Sequence, residues 1–162
     1  MIKAGDALPA DVKLTEMGDG GPKAVTVGEL TKGKTVVLFA VPGAFTPTCS
    51  MKHLPGFVSK AGEIRAKGVD DILCLSVNDA FVMGAWGKDH GAGGKVRMVA
   101  DGNGDLTRAL GLEMDASGFG MGQRSKRYAM VVKNGTVTEL LVEPAGGLNV
   151  SSAESVLGKL GG

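Results

Sequence analysis

The sequence predicts a single-domain α/β protein with a central mixed sheet, flanking helices and an N-terminal hairpin. Three observations carry that reading. Short β-branched apolar runs at residues 36–40, 69–77 and 96–100 have the length and composition of buried core strands. Helical segments with start and stop residues stand between them, so strands and helices alternate. Asn134-Gly135 joins two further apolar runs as a hairpin, and a closing helix follows.

In chain order, Asp11 to Leu14 and Ala24 to Val27 read as short edge strands or as a hairpin about the GDGGPK turn. Val27 to Leu30 predicts a brief helix ending at Lys32-Gly33. A strand over residues 35–41 is broken by Pro42-Gly43 and leads to a helix that starts near Cys49. Pro55-Gly56 predicts a kink in that helix, which resumes with Phe57, Val58, Ala61 and Ile64 and ends at Gly68. After the strand at 69–77, Asn78-Asp79 caps a helix over residues 80–88, with Phe81, Val82 and Ala85 on its apolar side. Asp105 to Leu110 reads as a helical turn, and the glycine-rich stretch Glu113 to Gln123 as a long loop. Arg127 to Lys133 and Thr136 to Glu143 are the hairpin strands about Asn134-Gly135. Ser151 to Leu160 is the closing helix, with Ser151 or Ser152 as its cap. Periodicity alone does not separate this order from a flavodoxin-like sheet.

The 162 residues carry 18 basic and 17 acidic side chains, scattered to a net charge of +1. No basic block points to nucleic acid and no acidic tail to a solvating arm, so a small neutral or weakly charged substrate fits. A chain of this length buries roughly two-thirds of its unfolded surface, enough to fold without disulfides or a structural metal. The 27 glycines sit mainly at segment ends, which predicts tight turns rather than disorder. The start, MIKAGDALPADVKL, lacks an apolar core long enough for a signal peptide, and the longest apolar runs fall far short of a membrane span. Two cysteines with no export signal point to free thiols in a reducing compartment, the cytoplasm.

Cys49 stands out chemically. It follows a core strand and a Pro-Gly break, and Thr46, Pro47 and Thr48 before it are residue types that open helices. Unpaired amides and the positive end of a helix dipole favour a thiolate there. The bland alternative is a small buried inert thiol.

Pro42, Thr46 and Cys49 have the spacing P-x-x-x-T-x-x-C within PGAFTPTCSMKHLPGF, and CLSVNDAFVM from Cys74 and KRYAMVV from Lys126 accompany it. With these blocks the chain resembles the peroxiredoxins, most of all the branch called type II or type five, over nearly its whole length. The resemblance implies a thioredoxin-like fold with an added strand–helix insertion. It implies attack of the Cys49 thiolate on a peroxide O–O bond, giving a sulfenic acid and water or alcohol. Thr46 then offers a hydroxyl to substrate or thiolate beside its capping role, and Pro42 shields the thiolate from water. The amides of Ala44, Phe45 and Cys49 are candidate donors to the peroxide. Arg127, at the start of RYAMVV, matches the cation that completes such a site; residue types alone do not choose among Arg124, Lys126 and Arg127.

His53 lies four residues past Cys49, on the same helical face. A Cys–His pair suggests a hydrolase, but no orienting group for the imidazole is legible. His53 is instead expected to line the substrate entrance or to pack locally. A zinc site from Cys49, His53, Cys74 and His90 lacks a close ligand pair. Cys74 reads as a strand core residue; in some members of the resembling family a cysteine at this place resolves the sulfenic acid. Others use a C-terminal cysteine, where this chain has Val150. The expectation is a one-cysteine cycle with no bound cofactor, recycled by an external thiol, either glutathione with glutaredoxin or thioredoxin. Substrates are hydrogen peroxide and organic hydroperoxides. Loops holding Phe45, Phe81 and Phe119 lie near a dimer contact in type-five relatives, so a homodimer is expected. The rival readings are a redox sensor or holdase on the same fold and a thiol-disulfide reductase, the latter disfavoured because residues 49–52 read CSMK, without C-x-x-C.

Overall fold

Two strands, β1 (Lys13–Gly18) and β2 (Gly21–Thr26), open the protein as a hairpin. The structure is a computed structural model, and it describes residues 1–144 and 147–160. The hairpin strands reach further into GDGGPK than the sequence suggests, because Gly18 pairs with Gly21 and only Asp19 and Gly20 make the turn. Pro22 is tolerated in β2 because that strand is the sheet edge, where a missing N–H breaks no ladder.

Helix α1 (Val27–Thr31) precedes the central strand β3 (Thr35–Ala40). Then come a π-helical turn at Cys49–His53, helix α2 (Leu54–Ala66), strand β4 (Asp71–Ser76), helix α3 (Ala80–Asp89) and strand β5 (Arg97–Ala100). A short helix α4 (Asp105–Leu110), strands β6 (Glu113–Asp115) and β7 (Gln123–Ser125), the hairpin β8 (Tyr128–Lys133) and β9 (Thr136–Val142), and helix α5 (Ala153–Leu160) complete it. Seven strands form one mixed sheet in the order β2-β1-β5-β4-β3-β8-β9. β3 runs parallel to β4 and antiparallel to β8.

The pleat sorts the core into two layers. Val37, Phe39 and Val41 face one cluster with Cys49, Leu54, Phe57, Cys74 and Trp86. Val36, Leu38 and Ala40 face the other with Leu106, Leu110 and Tyr128. Both faces of β3 are therefore covered, which is why its sequence is apolar without alternation.

Three expectations change. The break in the cysteine helix is not at Pro55-Gly56 but one turn earlier, where the Leu54 N–H bonds the Cys49 carbonyl across a wide π turn. Pro55 has no N–H, and its ring would crowd the carbonyl four residues back; a widened turn relieves that, and Pro55 then sits in the first turn of α2. In α3 the buried side is Ala80, Met83, Trp86 and Gly87, packed on β1 and β5, while Phe81 and Ala85 face outward. The sequence offers two apolar stripes there, and the one carrying the indole goes inside. Finally, Glu113 to Gln123 is no open loop. It holds β6, the first residue of β7 and a 3-10 turn at Ser117–Phe119, with Gly120 and Gly122 supplying positive φ at the bend.

Among the described residues no helix is long and apolar enough to cross a membrane.

Candidate active site

Register decides where the site forms. Ala40 pairs with Tyr128, so Arg127 lies opposite the C-terminal end of β3, where the chain leaves the sheet for Pro42 and the Cys49 turn. The geometry then selects among the three nearby cations. Arg127, with only 5 % of its surface exposed, donates from Nη2 to Cys49 Sγ at 3.1 Å. Arg124 instead donates from Nε to the Met121 carbonyl, and its guanidinium packs beside Gly43.

Cys49 is fully buried, yet its surroundings are not only hydrocarbon. It starts the π turn, and its own N–H and that of Phe45 donate to nothing among the described residues. Neither threonine caps these amides, contrary to the sequence reading. Thr48 makes no capping bond, and the Thr46 hydroxyl donates to the Gly43 carbonyl at 2.7 Å. That leaves the Thr46 oxygen as an acceptor. The Ala44 N–H is committed to Asn78 Oδ1 at 2.9 Å, so it is not a spare donor; it ties the Pro42–Phe45 turn to the end of β4. Phe45 holds φ +65°, a strained backbone for a residue with a Cβ, of the kind that collects at functional turns. Pro42, Ala44 and Thr46 are half-buried at the rim, and Phe45 is exposed. The Trp86 indole N–H donates to Ser50 Oγ at 2.9 Å, pinning the residue after the cysteine.

His53 does not line an entrance. Its ring is buried against the stacked rings of Phe39 and Phe57, with centroids 4.9 and 5.6 Å away. Nη1 of Arg127 donates to Nδ1 at 2.8 Å, and Nε2–H donates to the Ser151 carbonyl at 2.9 Å. A guanidinium can only donate, so these partners dictate the neutral Nε2–H tautomer. Burial, and then the Arg127 charge, push the His53 pKa down to about 4. The orienter that the sequence did not reveal is thus a main-chain carbonyl, for which no residue-type signal exists.

Cys74 is fully buried on the same layer, paired in register with Phe39. Burial, and then the proximity of Cys49, push its thiol pKa well up. Both cysteines are free.

The chemistry this arrangement permits is specific. A buried sulfur is bonded by a fixed cation, and the segment that carries it also holds two uncommitted amides and a hydroxyl oxygen, which suits a reaction that starts from a thiolate and moves negative charge onto an oxygen.

The neutral histidine has a measurable consequence. The folded protein resists protonating His53 until about pH 4, whereas an unfolded histidine takes its proton near pH ~6.5. Stability is therefore lost as pH falls through that window, by up to about 3 kcal/mol at this group. In His53→Gln the amide can accept from Arg127 and donate to Ser151 without titrating. Denaturant unfolding from pH 7 to pH 4 should show a much shallower loss in the variant; parallel profiles would refute the assignment.

Comparison with known proteins follows the same lines. The Redoxin family model matches residues 3–157. The chain is 56% identical over 160 residues to "Peroxiredoxin-2E-2, chloroplastic" of Oryza sativa subsp. japonica, covering 96% of this chain and 71% of that protein. It is 52% identical to "Peroxiredoxin-2C" of Arabidopsis thaliana, covering 96% of each. Among solved structures, reduced Prx3 of Vibrio vulnificus in complex with hydrogen peroxide superposes with a TM-score of 0.94 at 52% identity, covering 99% of each chain. With a thioredoxin-like sheet and relatives of this identity along nearly its whole length, the chain belongs to the peroxiredoxin family and is a thiol peroxidase.

Proposed function

We propose that Cys49 is the sulfur that reduces hydrogen peroxide and alkyl hydroperoxides, in a one-cysteine cycle. The 3.1 Å contact from Arg127 to its sulfur carries this reading. The thiolate attacks one peroxide oxygen, the O–O bond breaks, and its electron pair leaves with the other oxygen. The sulfur becomes a sulfenic acid, and the departing oxyanion takes a proton from solvent to give water or alcohol. Arg127 holds the thiolate and then the developing charge. The free amides of Phe45 and Cys49 donate to the peroxide oxygens, while the Thr46 oxygen accepts a hydrogen bond from the peroxide O–H, whose hydrogen stays on the oxygen that joins the sulfur. Pro42 and Ala44 form the rim that keeps water away. Because the sulfur has no exposed surface, the half-buried rim moves aside to admit the peroxide.

An external thiol then condenses with the sulfenic acid, releasing water, and a second thiol displaces it and restores Cys49. Glutathione with glutaredoxin, or thioredoxin, has the chemistry to serve. A reducing compartment such as the cytoplasm suits two free thiols. Cys74 is read as a core residue, since its burial disfavours the thiolate that resolution requires.

A homodimer is proposed through the segments carrying Phe45, Phe81 and Phe119, which are 53%, 66% and 87% exposed. A dimer contact would remove these three large apolar side chains from water. Sedimentation at micromolar concentration should give a dimer that Phe81→Asp splits; a wild-type monomer would remove this proposal.

For the chemistry, Cys49→Ser should abolish peroxide consumption, while Cys74→Ser retains most of it with a glutaredoxin donor. Intact mass after one equivalent of peroxide without thiol should show a gain of one oxygen. Loss of two hydrogens would replace the one-cysteine cycle with an internal disulfide, and turnover by Cys49→Ser would overturn the assignment itself.

A further inference from the structure

The most heavily coordinated group outside the reacting atoms is a carboxylate. Glu143 follows β9 and is 5 % exposed. Its Oε2 accepts the N–H groups of Asn149, Val150 and Ser151, each at 2.8 Å, and the Ser151 hydroxyl at 2.7 Å. Three successive amides converging on one oxygen form an anion-binding concavity, filled here by the protein's own side chain. Burial works against the charge, but the four donors outweigh it and hold the Glu143 carboxyl below its usual range.

The same residue closes a loop back to the sulfur. Ser151, fixed by two bonds to the carboxylate, presents its carbonyl to His53 Nε2 at 2.9 Å. His53 thereby keeps its Nδ1 lone pair for Arg127 Nη1 at 2.8 Å. A guanidinium is planar, so fixing one Nη fixes the direction of the other, which lies 3.1 Å from Cys49. The Glu143 N–H also donates to the Arg127 carbonyl at 3.0 Å, so the carboxylate and the arginine are cross-strand neighbours. They make no direct ion pair: Arg127 Nε and Glu143 Oε1 have no partner among the described residues.

We propose that Glu143 is a positioning residue of the peroxidase site, acting through the Asn149–Ser151 strap and His53 to keep the Arg127 guanidinium aimed at Cys49. The inference rests on the Cys49 peroxidase reading. Its value to the cycle lies in what happens to the sulfur. Once oxidised, the sulfur is uncharged and attracts Arg127 far less. The His53 anchor does not depend on that charge, so the guanidinium stays in place for the next turnover.

The test compares wild type, Glu143→Gln and Ser151→Ala by stopped-flow oxidation with hydrogen peroxide, alongside the pH at which the thiolate absorbance appears. In Glu143→Gln a neutral amide oxygen takes the place of the carboxylate oxygen on the four donors, each bond loses its charge assistance, the strap loosens, and the rate constant should fall roughly 10-fold. The thiolate should then appear at higher pH, because the cation is no longer aimed. Deleting a buried negative charge without moving Arg127 would shift the thiolate the opposite way, to lower pH, and would overturn the proposal. A lowered unfolding temperature with unchanged rate and thiolate titration would also overturn it, by making the role purely structural. Ser151→Ala removes only one of the four donors and keeps the proposal testable should the glutamate variant fail to fold; its effect should be smaller and in the same direction, and no effect contradicts the relay. A wild-type protein inert toward peroxide would sink the peroxidase reading itself, whereas a fast wild type matched by both variants sinks only the relay.

Discussion

The structure depends on one buried contact, a guanidinium held against a sulfur. Burying Arg127 is costly unless its donors are met and its charge is balanced. Two of its nitrogens find partners, one in Cys49 and the other in His53. In the proposed cycle a thiolate at Cys49 supplies the opposite charge, so each group offsets the other's cost of burial. The same low-dielectric setting strengthens their interaction and makes correct aim important.

That aim is a product of the sheet. Cys49 is delivered by the chain leaving β3, and Arg127 by the residue entering β8. Antiparallel pairing of those strands, with Ala40 opposite Tyr128, brings the two ends together. The π turn, forced by Pro55, begins at the cysteine itself and leaves its N–H without an acceptor. The Asn78 and Trp86 side chains hold the turn through Ala44 and Ser50. The surroundings of a single sulfur are thus drawn from elements distant in sequence.

Much of this is legible in the sequence. Strand–helix alternation, the Asn134-Gly135 hairpin and the position of Cys49 at a turn after a core strand follow from residue types alone. The thioredoxin-like topology and the choice of Arg127 do not; both rest on resemblance, because periodicity fits several sheets and three cations share one short segment. What stays hidden has physical causes. The anchor of His53 is a main-chain carbonyl, which every residue possesses. Glu143 looks like the end of a strand, and its role arises from the fold of the strap that covers it. In α3 two apolar stripes compete, and only packing tells that Trp86 lies inside while Phe81 lies out.

The most direct test of the account is the rate constant for Cys49 oxidation by hydrogen peroxide in Arg127→Lys, measured at a pH where the sulfur is ionised in both proteins. Lysine keeps the charge but loses the planar fork that bonds sulfur and imidazole together. The account predicts a fall of roughly 100-fold or more, the scale of losing an aimed donor to a developing charge. A rate within about twofold of wild type, well inside that scale, would show that the guanidinium geometry is not what makes this sulfur reactive.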